Sequence, residues 1–481
     1  MSKLVKNSAL YLISTIVLKA TSFLLLPLYS NLVSPDAYGK VYLVSSYVTF
    51  FGIFMCLSMG SSVQRFYFNC KSEEEVKELY STNVIFVFLV ATFLAGLLVL
   101  FNNTIAGWMK LPPIYLLMAT AAVYLSTFYN LITSLLYAKQ KAVTLSVASI
   151  VLGVLNIVTQ LVLVLTMTDK AMALILAILL AGVMQMLLFL WFSRKYFVLR
   201  FNARLFRPSL VFGLSQLPSD ISLFIVSLSD RFILNKYKDS ASVGIYGMGH
   251  TLGSIPNILF HSMAQALTPI VFTNYTEFKE GKRPDISYAC KLIEKIAIIL
   301  TIIITALIVF SNNIVAILSS NYQKSGFIMY LVLFAVLIDI YRKLFVYPIT
   351  YDVKFVKIKS FIWVLASVLS IVLNIILIPK YSYYGACISL ISVNIFTLIL
   401  ILIESNKAMH PVYRTSKLLL IFGISIISTL SFFLGSSWNM IPVKFLITIV
   451  YLILVYKIYP IDYKSILSVL KIKRNNKVTN V

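Results

Sequence analysis

Apolar stretches of membrane-spanning length follow one another along almost the whole chain, and no hydrophilic run between them exceeds roughly 20 residues. A backbone in hydrocarbon must satisfy its own hydrogen bonds, so such a chain folds as a bundle of transmembrane helices. Composition agrees: 60% of the 481 residues are hydrophobic and 12% charged, where soluble domains sit near half and a quarter. The expected fold class is an all-α polytopic membrane protein of about fourteen helices. The predicted spans are 7–30, 40–64, 80–101, 113–137, 143–166 and 171–192, then 209–234, 244–272, 287–310, 326–348, 358–379, 383–404, 416–435 and 441–460. Twelve helices would also fit if the last pair did not span. The first segment lacks a small-residue cleavage site and reads as a retained helix.

The net charge of +24 invites a nucleic-acid reading, but its placement favours topology. With the first helix entering from the cytoplasm, about 28 Lys and Arg fall on cytoplasmic segments, about 8 outside and about 5 in helices. Arg194, Lys195, Arg200, Arg204 and Arg207 crowd one loop, and Lys471, Lys473, Arg474 and Lys477 the C-terminal tail. Both termini are therefore expected in the cytoplasm, with attraction to anionic lipids as a by-product and no nucleic-acid partner. Cys56, Cys70, Cys290 and Cys387 show neither pairing nor metal spacing. There is no phosphate-binding loop, zinc-protease helix or nucleophile elbow, so neither enzyme chemistry nor a cofactor is expected.

The halves repeat. Ser34-Pro35-Asp36-Ala37-Tyr38-Gly39 after the first helix returns as Asp239-Ser240-Ala241-Ser242-Val243-Gly244 near the midpoint. Val154-Leu155-Asn156-Ile157 returns as Val372-Leu373-Asn374-Ile375. Six helices separate each pair, which predicts two parallel six-helix lobes about an axis along the membrane normal. The expected units are 1–192, a basic linker at 193–207, a second lobe at 208–404, and two extra helices with a basic tail at 405–481.

Leu373-Asn374-Ile375-Ile376-Leu377-Ile378-Pro379, followed by Tyr384-Gly385-Ala386, resembles a signature of the polysaccharide-transport branch of the multidrug/oligosaccharidyl-lipid/polysaccharide exporter superfamily. Leu24 to Gly39 is similar to that branch's first helix and turn. The resemblance covers about the first 400 residues. It departs where the small-residue run after Gly385 reads Ala386-Cys387-Ile388-Ser389. It implies a flippase in the bacterial inner membrane for undecaprenyl-pyrophosphate-linked oligosaccharides, serving O-antigen, lipopolysaccharide, capsule or related glycans. Membrane lipids and other polysaccharide-assembly proteins are the implied partners.

A substrate with a diphosphate and a glycan needs a polar cavity with positive charge inside the membrane. Lys19, on the polar face of the first helix, either lines it, or snorkels or pairs within packed protein. In helix seven, Gln216, Asp220, Ser227 and Asp230/Arg231 share one face, and Arg231 could hold phosphate oxygens bidentately unless the pair serves only topology. Helix eight carries His250, Ser254, Asn257, His261 and Gln265 on one stripe, as proton carriers or as interhelical hydrogen-bonding groups. In helix ten, Asp339 precedes Arg342 and Lys343 by three and four residues. An internal ion pair is possible, but reaching the interface is the favoured reading for the two cations. Lys19, Asp220, Arg231, Asp230 and Arg342 are thus the substrate-binding candidates, and His250, His261, Asp220 and Asp339 the ion-coupling ones. The rivals are a drug/cation antiporter of the same superfamily, which would want acidic sites, and a glycan polymerase or glycosyltransferase, which would want larger outer loops.

Overall fold

A computed structural model describes residues 25–282, 286–346, 349, 353–409 and 413–460. Every regular element among them is helical. The helices are α1 Leu26–Leu32, α2 Pro35–Cys56, α3 Met59–Tyr67, α4 Glu73–Leu100, α5 Asn102–Met109, α6 Pro113–Ala138, α7 Ala142–Thr166, α8 Lys170–Ser193 and α9 Ala203–Tyr237. They continue as α10 Ser240–Gly253, α11 Ile255–Lys279, α12 Ser287–Val309, α13 Ser311–Ala316, α14 Ser325–Leu344, α15 Val353–Tyr381, α16 Tyr383–Met409, α17 Thr415–Thr429 and α18 Ile441–Ile458. Eleven of the described helices are long and apolar enough to cross a membrane. Of the other three expected spans, the first lies mostly outside the described residues. The eighth is broken between α10 and α11 at Ser254, with Pro256 opening the new helix. The tenth is α14, whose side chains are almost all buried against protein.

In the first half α6 packs on α8, α2, α3 and α4; in the second, α14 packs on α10, α12 and α16 and α15 on α16. The extra helices α17 and α18 pack on each other and on α12. Buried Glu294 of α12 fastens them: its Oε1 accepts the Arg414 N–H at 2.5 Å and its Oε2 the Tyr459 hydroxyl at 3.2 Å.

Between the halves the closest crossing is α2 on α10, the two helices that begin at the repeated turns. Each starts on a side-chain cap, Ser34 accepting the Ala37 N–H and Asp239 the Ser242 N–H. One turn in, Gly39 and Gly244 face each other. A Cβ on Gly39 would lie 1.7 Å from the Ser240 carbonyl oxygen, and one on Gly244 1.9 Å from that of Pro35. The crossing is nearly self-reciprocal, Gly39 facing Ser240 and Gly244 facing Pro35. Small residues let the backbones approach, and van der Waals contact drives helix association in lipid. The same end is stitched by Ser240 Oγ donating to Asp36, Tyr322 Oη to the Val33 carbonyl at 2.9 Å, and Asn235 Nδ2 to the Met109 carbonyl at 2.7 Å.

The second expected span, 40–64, is not one helix. Leu57 and Ser58 both take left-handed backbone angles (φ 48° and 56°) and split it into α2 and α3. Each such residue costs about 1–2 kcal/mol, and the alternation of apolar and polar residues across the break gives no sequence sign of it.

Valine at Gly39 or Gly244 should therefore overpack the crossing and cost about 1–3 kcal/mol. Valine at Gly96, whose Cβ would meet nothing within 4 Å, should be silent by comparison. Thermal unfolding of the three variants in one detergent checks this, with the first two melting lower and Gly96→Val unchanged.

Candidate functional site

Helix α9 carries the polar residues that matter along 35 residues. Near its far end, Asp230 and Arg231 are 5% and 7% exposed, so they do not serve topology from an exposed helix end. The Tyr246 hydroxyl of α10 donates to Asp230 Oδ2, and Asp230 Oδ1 accepts the Arg231 N–H at 2.8 Å. The Arg231 guanidinium lies 5.2 Å from the ring centre of Tyr42 on α2, with Nη1 3.4 Å from Ser46 Oγ. Its Nε–H has no partner among the described residues. Tyr42, about one turn past Gly39, in turn shares a 3.0 Å hydrogen bond with Thr251 of α10, about two turns past Gly244. Arg231 is thus a buried cation directly beneath the place where the halves seal, with donor capacity to spare.

His250 occupies the same level of α10. Its ring faces Tyr246, and its Nδ1 lies 3.3 Å from Ser254 Oγ. Lys19 lies outside the described residues, as do the side chains of His261 and Gln265.

Eleven residues back along α9, about 16 Å at helical rise, Asp220 faces a different environment. It accepts a 2.6 Å hydrogen bond from Ser58, the residue at the break between α2 and α3, and lines a cavity of about 420 Å³. Thr49, Ser58, Thr127, Asn130 and Ser134 are among the other residues of its wall, contributed by α2, α6 and the break. The value of the strained turn is now visible, since it brings Ser58 to Asp220. Sequence reasoning named Asp220 as a cavity candidate but not the rest of the wall, because that wall comes from four helices, α2, α3, α6 and α9, with no shared motif.

Asp339, Arg342 and Lys343 form a buried group, so the interface reading of the two cations is corrected. Arg342 Nε donates to Asp339 Oδ1 at 2.9 Å, with Nη2 on the same oxygen, and Lys343 Nζ lies 2.7 Å from Oδ2. Lys343 also reaches Asn257 Oδ1 at 2.8 Å, and Arg342 lies 4.7 Å from the Trp363 ring centre. A carboxylate within one helical turn makes both cations tolerable inside, so they need not snorkel. One more buried cation was not singled out in the sequence: Lys444 of α18, held by Asn313 Oδ1 at 2.6 Å and the Gly435 carbonyl at 2.7 Å. Its only signal was a lysine in an apolar segment. Among the described residues no three His, Cys, Asp or Glu side chains gather as a metal site requires.

The described residues thus form a helical bundle with a sealed end, buried charges and a polar cavity. Residues 4–274 match the polysaccharide biosynthesis protein family, and the chain belongs to it. It is 25% identical over 276 residues to an uncharacterized membrane protein of Haemophilus influenzae, covering 56% of this chain and 65% of that one. It is 26% identical over 283 residues to Lsg locus putative protein 1 of the same organism, covering 56% and 66%. The matches thus span just under two thirds of these relatives' lengths. Among solved structures it is similar in fold to the lipid II flippase MurJ in an inward closed conformation, with TM-score 0.73 and 15% identity over 95% of this chain and 99% of that one. An inward-facing multidrug transporter of the MATE family follows, with TM-score 0.63 and 14% identity over 82% and 97%.

Removing the acid from the Asp339 group should be costly. Asp339→Asn leaves two buried cations without their counter-charge, a loss of about 3–5 kcal/mol. A sharply lower melting temperature and membrane level are expected, with partial recovery in Asp339→Asn/Lys343→Met. An unchanged melting temperature in the single variant would show that the group is solvated.

Proposed function

We propose that this protein flips undecaprenyl-pyrophosphate-linked oligosaccharides across the bacterial inner membrane for O-antigen, capsule or a related surface glycan. Residues 1–192 and 208–404 act as two lobes joined by the basic linker 193–207, with both termini cytoplasmic. On that orientation the glycine crossing is the outer seal, and the conformation is closed to the outside.

The observation that carries this reading is Arg231: buried, beneath the seal, and with an unused donor. The planar guanidinium fork, so placed, suits bidentate binding of phosphate oxygens such as those of a diphosphate. Asp230 does not bind substrate in this scheme; it and Tyr246 hold the arginine in place. Arg342, pinned by Asp339 and stacked on Trp363, is likewise a structural charge. The lobes alternate by breaking the α2–α10 contact and closing the opposite end, so that the head group exchanges sides while the lipid tail stays in the bilayer. An ion gradient drives the cycle. We assign coupling to a proton gradient; a flipping rate unchanged when proton and sodium gradients are collapsed would remove that assignment.

The test is complementation of a bacterium lacking its own glycan flippase, scored by surface polysaccharide and by accumulated undecaprenyl-linked repeat units. The native chain should restore the glycan, while Arg231→Ala at matched membrane level should lose it and accumulate the lipid-linked units. Restoration by Arg231→Ala would remove Arg231 from the mechanism. Drug efflux by the native chain without glycan export would favour the antiporter of the same superfamily.

A further inference from the structure

We infer that the Asp220 cavity is the subsite for the sugar nearest the diphosphate, and that it accepts a neutral or amine-bearing sugar and rejects a uronic acid. This rests on the flippase reading above. The volume, about 420 Å³, is far more than a bare cation needs and falls in the range of small-molecule sites. Its position follows from α2. Ser46 touches Arg231, and Thr49, three residues on, lines the cavity, so the two sites adjoin within about 5 Å along that helix. A diphosphate on Arg231 therefore places its first sugar at the cavity.

The chemistry of the wall sets the selectivity. Thr49 donates its hydroxyl hydrogen to the Ser45 carbonyl at 2.8 Å, and Thr127 and Ser126 donate theirs to Val123 at 2.7 and 3.1 Å. Ser58 gives its hydrogen to Asp220. These four hydroxyls, all in the wall, are left to present lone pairs only, and Asp220 adds an acceptor with negative charge. The Asn130 amide, the Ser61 and Ser134 hydroxyls and the Cys56 thiol are the donors in the wall, and among the described residues no Lys or Arg lines it. Sugar hydroxyls and ammonium groups donate and find partners. A sugar carboxylate meets lone pairs and a like charge in a partly desolvated space, where an unpaired anion is expensive. Gly60 keeps the room, since a Cβ there would lie 2.7 Å from Ser134 Oγ.

The experiment measures binding of three probes to the purified, full-length protein in detergent. They are farnesyl diphosphate without sugar, a farnesyl-diphosphate disaccharide with a neutral first hexose, and the same compound with a hexuronic acid in that place. The native chain should bind the neutral glycan at least about tenfold tighter than the uronate. Asp220→Asn should erase most of that preference by raising uronate affinity, and Thr127→Val should weaken only the neutral glycan. Neither variant should change binding of farnesyl diphosphate itself, whereas Arg231→Ala should weaken all three probes. Equal or tighter binding of the uronate by the native chain would overturn the subsite with the flippase reading intact. Arg231-independent binding of farnesyl diphosphate, or none, would overturn both.

Discussion

The structure depends on the approach of two backbones at Gly39 and Gly244. Neither position admits a methyl group, because each Cα faces a carbonyl of the opposite helix. In lipid there is little hydrophobic force to pull helices together, so close packing of small residues and hydrogen bonds at the ends must hold the halves. What the glycine contact closes, Asp36, Ser240, Tyr322 and Asn235 stitch with polar bonds that can be broken one at a time.

Buried cations are kept inside by three different devices. Asp339 meets Arg342 and Lys343 within one helical turn, so that group is complete in itself. Lys444 is satisfied by an amide and a carbonyl with no carboxylate. Arg231 sets its guanidinium against the Tyr42 ring and Ser46 and keeps a donor in reserve. Satisfied charges hold helices together; the incompletely satisfied one is where an anionic ligand gains most. That contrast separates the structural cations from the one assigned to substrate.

Much of this architecture is legible in the sequence. Hydropathy fixes the class and most spans, and the repeated turn after the first and seventh helices points to the two helices that meet at the centre. The polar face of α9 is a simple helical periodicity. What sequence did not disclose depends on contacts between distant helices. The break at Leu57–Ser58 uses residues that disfavour left-handed angles, so no glycine or proline marks it. Interior or interface placement of Arg342 turned on whether Asp339 was within reach in three dimensions, and spacing alone left both open. The cavity at Asp220 is assembled from hydroxyls that on their own helices look like ordinary intrahelical bonding groups.

The central claim is that α2 and α10 must part for substrate to cross. Cysteines at Asp36 and Ser240, in a chain without its native cysteines, place the two thiols across the seal. Flipping of a lipid-linked oligosaccharide by this variant in proteoliposomes is the most direct measurement. The account predicts that oxidation stops transport and that reduction restores it, with neither treatment affecting the single-cysteine controls. Undiminished transport by the fully cross-linked protein would contradict it.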